Sequence, residues 1–210
     1  MLRQVLVHHM GDVVTAKIAR HTILVLFANG LLGEFDSASG LEQPHRVDLN
    51  QALPSRMNIQ HAAVANSGDV IAVAADDYLR IFSTQTGDEL AQYKVQEGMK
   101  ARYVAWSKDD TLVAAGCVKS CRVFTYDPAP QFEGGVVASR PSLAMMTKIT
   151  KPHSDDVVIV AISPNNQYLA TGCKDRHVRV FRLHHVDDLR PTYDEPCERV
   201  YALDWSPNGY

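Results

Sequence analysis

Long apolar runs are missing from this 210-residue sequence. None approaches the roughly 18 residues that a membrane-spanning helix needs, so no membrane partner is expected. The opening MLRQVLVHHMGD has a basic residue but no apolar signal core. Cysteine is scarce, limited to Cys117, Cys121, Cys173 and Cys197. Without a signal peptide these read as reduced thiols, and the expected compartment is cytoplasmic, with the nucleus as the other setting. A surplus of one charge is lacking too. The chain has 21 Lys and Arg against 24 Asp and Glu, interleaved, for a net charge of −3. That excludes a binder that works by neutralising phosphates, so no nucleic acid is expected as a partner.

The usual carriers of chemistry are absent as well. There is no G-x-S-x-G nucleophile motif and no pair of carboxylates at a recognisable catalytic position. Gly30 and Gly33, and likewise Gly134 and Gly135, precede no helix, which removes dinucleotide and phosphate-loop readings. His8-His9 and His184-His185 are adjacent in sequence. Neighbours on a strand point to opposite faces, so neither pair is a ready metal site. Cys117 and Cys121 flank Val118-Lys119-Ser120. As cross-strand neighbours they would permit a disulfide or half a metal site, but no second pair stands at ligand spacing, and small buried residues are the plainer reading. The expectation is therefore no catalytic residue, no metal ligand and no cofactor.

What is present is a repeat. Hydrophobic residues make up 46% and charged residues 21%, an ordinary globular composition with enough chain for one sizeable core. Four 13-residue windows align without gaps: ILVLFANGLLGEF (23–35), VIAVAADDYLRIF (70–82), LVAAGCVKSCRVF (112–124) and LATGCKDRHVRVF (169–181). Their starts lie 47, 42 and 57 residues apart. Each ends in Phe, and three carry Arg two places earlier: Arg80, Arg122 and Arg179. Each reads as a hairpin, an apolar strand, a polar turn and an alternating strand, with no sustained helical period. A short strand with a Ser-containing turn precedes three of the windows, and a further copy, VYALDWSPNG, starts at Val200. Stretches after the windows supply a fourth strand.

Four strands per unit at roughly 40–45 residues is the arithmetic of a propeller blade. The expected fold is all-β, one domain over 1–210. Its units are 12–49, 57–95, 101–150 and 157–183, with a partial one at 198–210, giving about four to five blades. A seven-blade ring would need about 300 residues. The propeller is therefore expected to be incomplete, a fragment or a ring closed by a partner chain; a short closed ring of four or five blades is the alternative. Residues 4–9 read as an outer strand.

The phrases SPNNQYLATG (163–172) and DWSPNG (204–209) resemble the strand a to strand b segment of the WD40 repeat family. Blades of that family often carry a buried network: a His before strand a, a Ser or Thr on strand b, an Asp in the b–c turn and a Trp closing strand c. The resemblance maps His153, Thr171 and Asp175 onto the first three places. Phe181 stands at the fourth, and with no N–H it omits that end of the network. His153 accordingly reads as structural, not as a general base. The "WD" dipeptide is absent, Phe35-Asp36 coming nearest, and Val118 replaces the turn acid in the third window. The resemblance implies a non-catalytic scaffold whose partners are other proteins. Two alternatives stand beside it. Ala202-Leu203-Asp204-Trp205-Ser206 is similar to echinoderm microtubule-associated proteins, which would make tubulin the partner at a microtubule or cilium. A propeller enzyme with a central-channel site would need convergent side chains that the sequence does not offer.

Two surfaces are candidates for binding. The b–c turns gather on one rim with Asp77, Tyr78, Lys119, Arg176 and His177, residue types that anchor protein partners. The irregular segment 127–141, with Pro128, Pro130 and Phe132, joins strands c and d on the opposite rim as a candidate binding loop. Arg80, Arg122 and Arg179 are expected to lay their stems along the sheet and keep their charged heads in water.

Overall fold

Period-two alternation closed by tight polar turns is satisfied by paired strands, and strands are what form. A computed structural model describes residues 11–39, 42–51, 53, 55–95, 100–128, 140–149, 153–183, 193–196 and 200–209. Among them are four antiparallel four-stranded sheets, each a simple meander, and no helix. The first sheet is β1 (Val13–Ala19), β2 (Thr22–Phe27), β3 (Leu31–Asp36) and β4 (Glu42–Asp48). The second is β5 (Ile59–Val64), β6 (Val70–Ala75), β7 (Tyr78–Ser83) and β8 (Glu89–Lys94). The third is β9 (Ala101–Trp106), β10 (Leu112–Cys117), β11 (Ser120–Asp127) and β12 (Ser142–Ile149). The fourth is β13 (Val157–Ile162), β14 (Tyr168–Cys173), β15 (His177–Arg182) and β16 (Tyr193–Pro196). The aligned windows are thus the two central strands of each sheet. β16 lies beyond the stretch read as the fourth unit, because four residues ending in Pro carry too little alternation to signal a strand. Residues 4–9 and both His pairs lie outside the described residues.

The sheets stack as blades. Their first strands pack in succession, β1 on β5, β5 on β9 and β9 on β13, and among the described residues the sheets form an open arc and not a closed ring. Alternation sends one set of central-strand side chains toward the preceding sheet and the other toward the following one. Leu24, Leu26 and Leu32 meet Ile71, Val73 and Phe82 between the first and second sheets. Ala72, Ala74, Leu79 and Ile81 meet Val113, Ala115 and Phe124 between the second and third. Ala114, Cys121 and Val123 meet Leu169, Cys173 and Phe181 between the third and fourth. The terminal Phe of every window faces the preceding side and is sealed from water.

This geometry closes one alternative and corrects one expectation. Register sets Cys117 opposite Ser120 and Gly116 opposite Cys121, so the two cysteines point to opposite faces of the sheet. They belong to different cores, one on each side, and no disulfide can join them without unpairing the strands. The arginines likewise do not lie on the surface. They share the face of the terminal Phe, which puts Arg122 and Arg179 between sheets at 2% and 4% exposure.

Candidate functional site

The two rims are built differently. On one, the a–b turns are tied to each other. Asp110 accepts the backbone N–H groups of Asn66 and Ser67 at 2.6 and 2.7 Å. Asn66 Nδ2 donates to Ser107 O at 2.9 Å, and Lys17 Nζ donates to Asn66 Oδ1 at 2.8 Å. Asn166 Nδ2 donates to Asp109 Oδ2 at 2.8 Å, which joins the third and fourth sheets. Burial pushes the Asp109 carboxyl up, but hydrogen bonds from Ser107, Asn166 and Thr111 outweigh it and hold the group at about 2. Asp110 and Asn166 take positive φ of 60° and 56°, tolerated by their short polar side chains.

The other rim carries the b–c turns. Its third turn is Val118-Lys119, between Cys117 and Ser120. Lys119 and Arg176 sit at positive φ, 51° and 68°, with exposed side chains that enter no ion pair among the described residues. Asp77, Tyr78 and His177 are half-buried. The Arg80 guanidinium lies 4.4 Å above the Tyr78 ring and pairs with Glu89, so Tyr78 is engaged within its own sheet. His177 donates its backbone N–H to Asp175 Oδ1 at 3.2 Å. Of the candidate loop, Pro128 is exposed, while Pro130 and Phe132 lie outside the described residues.

Beneath this rim the fourth sheet has a polar corner. Arg179 Nη1 donates to both oxygens of Asp175 at 3.0 and 2.8 Å, with both side chains about 5% exposed. Asp175 also accepts the Ser154 N–H and hydroxyl at 3.2 and 3.3 Å. Burial works to raise its carboxyl, but these bonds and the guanidinium charge carry it below its ordinary value. His153 Nδ1 stands 3.4 Å from Arg179 Nη1 and its ring meets Phe181 edge-on at 5.6 Å. Guanidinium only donates, so Nδ1 accepts and a neutral His153 holds its proton on Nε2. Thr171 donates to the Arg179 carbonyl at 3.4 Å rather than to His153 or Asp175. The four residues singled out in the sequence therefore share one corner. Arg179, which sequence reasoning placed in water, links them and supplies N–H donors that Phe181 lacks.

This corner also brings three potential metal ligands together. Ligand atoms of His153, Cys173 and Asp175 lie within 4.8 Å of one another. The geometry does not suit a cation, because the Arg179 charge already occupies the Asp175 oxygens. Cys173 keeps its proton too: burial raises its thiol, and Sγ donates to the Asp155 carbonyl at 3.1 Å.

Two further residues escaped sequence reasoning. Trp106 Nε1 donates to Ala63 O at 2.8 Å, pinning β9 to β5, and Trp205 Nε1 donates to Ala161 O at 3.0 Å, pinning its own segment to β13. The signal was there in two Trp-Ser pairs at the same repeat position.

Residues 146–182 match the family described as WD domain, G-beta repeat (WD40). The matched stretch is the unit that ends at Phe181 and contains the polar corner. Four-stranded antiparallel sheets stacked as blades are consistent with an incomplete WD40-type propeller. WD40 repeats serve in general as non-catalytic platforms that bind other proteins. No helix among the described residues is long and apolar enough to cross a membrane.

Proposed function

We propose that this chain is a protein-interaction scaffold that presents its b–c rim to a partner. The observation that carries this reading is the contrast between the rims. The a–b turns spend their polar groups on one another, whereas Lys119 and Arg176 hold exposed cationic heads above rigid turns. Non-glycine residues at positive φ cost free energy and persist where the surroundings enforce them. Asp175 enforces one of these turns by binding Ser154, His177 and Arg179 at once. A partner would meet a surface already ordered, so little entropy is lost on binding.

Quantitative affinity capture with the wild-type chain and a Lys119→Glu/Arg176→Glu variant tests this reading. The variant should lose a discrete set of partners while its unfolding curve stays close to wild type. An unchanged set would refute the rim as the binding surface. A narrower partner, tubulin, rests on the resemblance of residues 202–206. Microtubule co-sedimentation decides it, since a chain that stays in the supernatant removes tubulin.

A further inference from the structure

Each sheet ends in an outer strand with one edge that no other strand of the four sheets pairs. Such edges invite pairing with another chain unless charge, proline or shortness blunts them. Three of the four are blunted. β4 contains Pro44 with Glu42, Arg46 and Asp48. β8 carries Glu89 and Lys94 at its two ends. β16 has four residues, two of them acids and the last Pro196. β12 is different. It runs for eight residues, and Ser142 to Thr147 hold neither a charge nor a proline. The third sheet has a sheet packed on either side, so this edge does not depend on the extent of the arc. β4, β8 and β12 each show a register shift against the neighbouring strand, so a bulge does not set β12 apart.

The preceding hairpin sets which backbone groups of β12 point outward. A two-residue turn joins Cys117 to Ser120, and from that pair the hydrogen-bonding phase alternates along β11. Cys121, Val123 and Thr125 therefore bond toward β12, where they face Ile149, Thr147 and Ala144. Leu143 and Lys148 direct their own N–H and C=O groups the other way. An apolar strip lies beside this edge. Tyr93 on β8 packs its ring on Phe124 with centroids 4.8 Å apart and donates its hydroxyl to Met145 Sδ at 3.6 Å. Ala91 and Leu143 are partly buried in the same core, and Met145 is 45% exposed. Residues 140–149 contain Arg140 and Lys148 and no acid. Asp127 stands opposite Ser142 at the Arg140 end. The positive end of the strand is therefore Lys148, which enters no ion pair among the described residues.

We propose that the outer edge of β12 is a docking site for an extended segment of another protein, which adds as a fifth strand antiparallel to β12. Its backbone bonds to the outward groups of Leu143 and Lys148. Apolar side chains at alternate positions continue the strip of Tyr93, Leu143 and Met145, and an acidic residue near its N-terminal end pairs across the strands with Lys148. Pattern and charge thus specify the occupant: an acid followed by alternating apolar residues. The site lies on the outer wall of the arc and is independent of the rim reading, so either can fail alone.

The probe is a fluorescein-labelled peptide, SETVTVTVS, whose acid and three valines share one face of a strand. Anisotropy should show 1:1 saturation on the 210-residue chain, and amide exchange at Leu143 and Lys148 should slow in the complex. Met145→Lys gives β12 a charge of the kind the other outer strands carry and should weaken binding about tenfold. Lys148→Glu should weaken it by a similar factor, about tenfold, because like charges then face each other. The charge-reversed peptide SKTVTVTVS should restore affinity for the Lys148→Glu chain, and that rescue also shows the variant to be folded. Absence of saturable binding up to millimolar peptide overturns the proposal. Binding indifferent to both Met145→Lys and Lys148→Glu does the same, as does slowed exchange confined to the b–c turns. Dimerisation of the chain alone, seen by sedimentation and abolished by Met145→Lys, would make a second copy the occupant and overturns it equally.

Discussion

Two nitrogen–oxygen contacts of 3.0 and 2.8 Å hold Arg179 to Asp175 where both side chains are almost sealed from water. Removing one partner of such a pair leaves a buried charge without compensation, at a cost of about 3–5 kcal/mol, whereas removing both costs much less. Arg179→Leu and Asp175→Leu should therefore each destabilise the chain strongly, and the double variant should recover part of the loss. Urea unfolding of the four species in a double-mutant cycle measures this, and strict additivity would sink the coupling. The same scale decides the cysteines. Burial raises the Cys117 and Cys121 thiols and cuts them off from reagents, and the sheet itself stands between them. Neither should react with a thiol probe in the folded chain, and oxidant should form no bond between them. A Cys117–Cys121 disulfide in a peptide map of native, oxidised chain would contradict the register.

Inner strands turn one edge toward the axis of the arc, and an unpaired edge is a liability. Side chains from the preceding sheet cover it here. His61 Nδ1 accepts the Val104 N–H at 3.3 Å, while Lys17 donates to Val64 O at 3.0 Å. The His61 ring also stacks on Tyr103 with centroids 3.8 Å apart. Burial depresses the His61 imidazole from 6.5 to about 4. The unfolded chain therefore binds a proton between pH 6.5 and 4 that the folded chain refuses, and stability falls as pH drops through that window. The full loss is on the order of 3 kcal/mol. Urea midpoints from pH 7 to 4 should follow this slope. His61→Phe should flatten it on a lower plateau, since the Val104 N–H loses its acceptor, and an unchanged slope would absolve His61. Close approach between sheets matters as much as edges. Gly116→Ala would set a Cβ 2.7 Å from a backbone oxygen that cannot move aside, and overpacking of this kind costs about 1–3 kcal/mol. A melting temperature equal to wild type would show that β10 and β13 can separate freely.

Across the whole molecule, legibility followed repetition. The windows 23–35, 70–82, 112–124 and 169–181 announced the central strands because alternation and a terminal Phe recur four times. The corner of His153, Thr171, Asp175 and Phe181 was readable through a resemblance in the one unit that keeps it. The place of Arg179 was not. A strand's period tells which residues share a face, but not that the face is covered by another sheet, so a surface habit was assigned to a buried position. The ties between a–b turns were equally silent, because Asn66 and Asp110 meet only after the sheets have stacked.

Those ties bear on how the molecule comes apart. Each sheet packs against its sequence neighbours along the arc, so stability is close to a sum of sheet terms and nearest-neighbour terms. Asp110 is the main polar link between the second and third sheets, accepting from two backbone N–H groups and from Asn66 Nδ2. Asp110→Asn keeps a residue that tolerates positive φ but removes the charge and part of the acceptor capacity facing those donors. It should weaken the junction between the second and third sheets and leave the other two intact. Hydrogen exchange should then divide the chain. Amides of β5, β6, β9 and β10 should lose protection first, and in denaturant the first two sheets should unfold apart from the last two. A single transition that shifts every strand by the same amount would mean that cooperativity spans the arc and that the link at Asp110 is not where it divides.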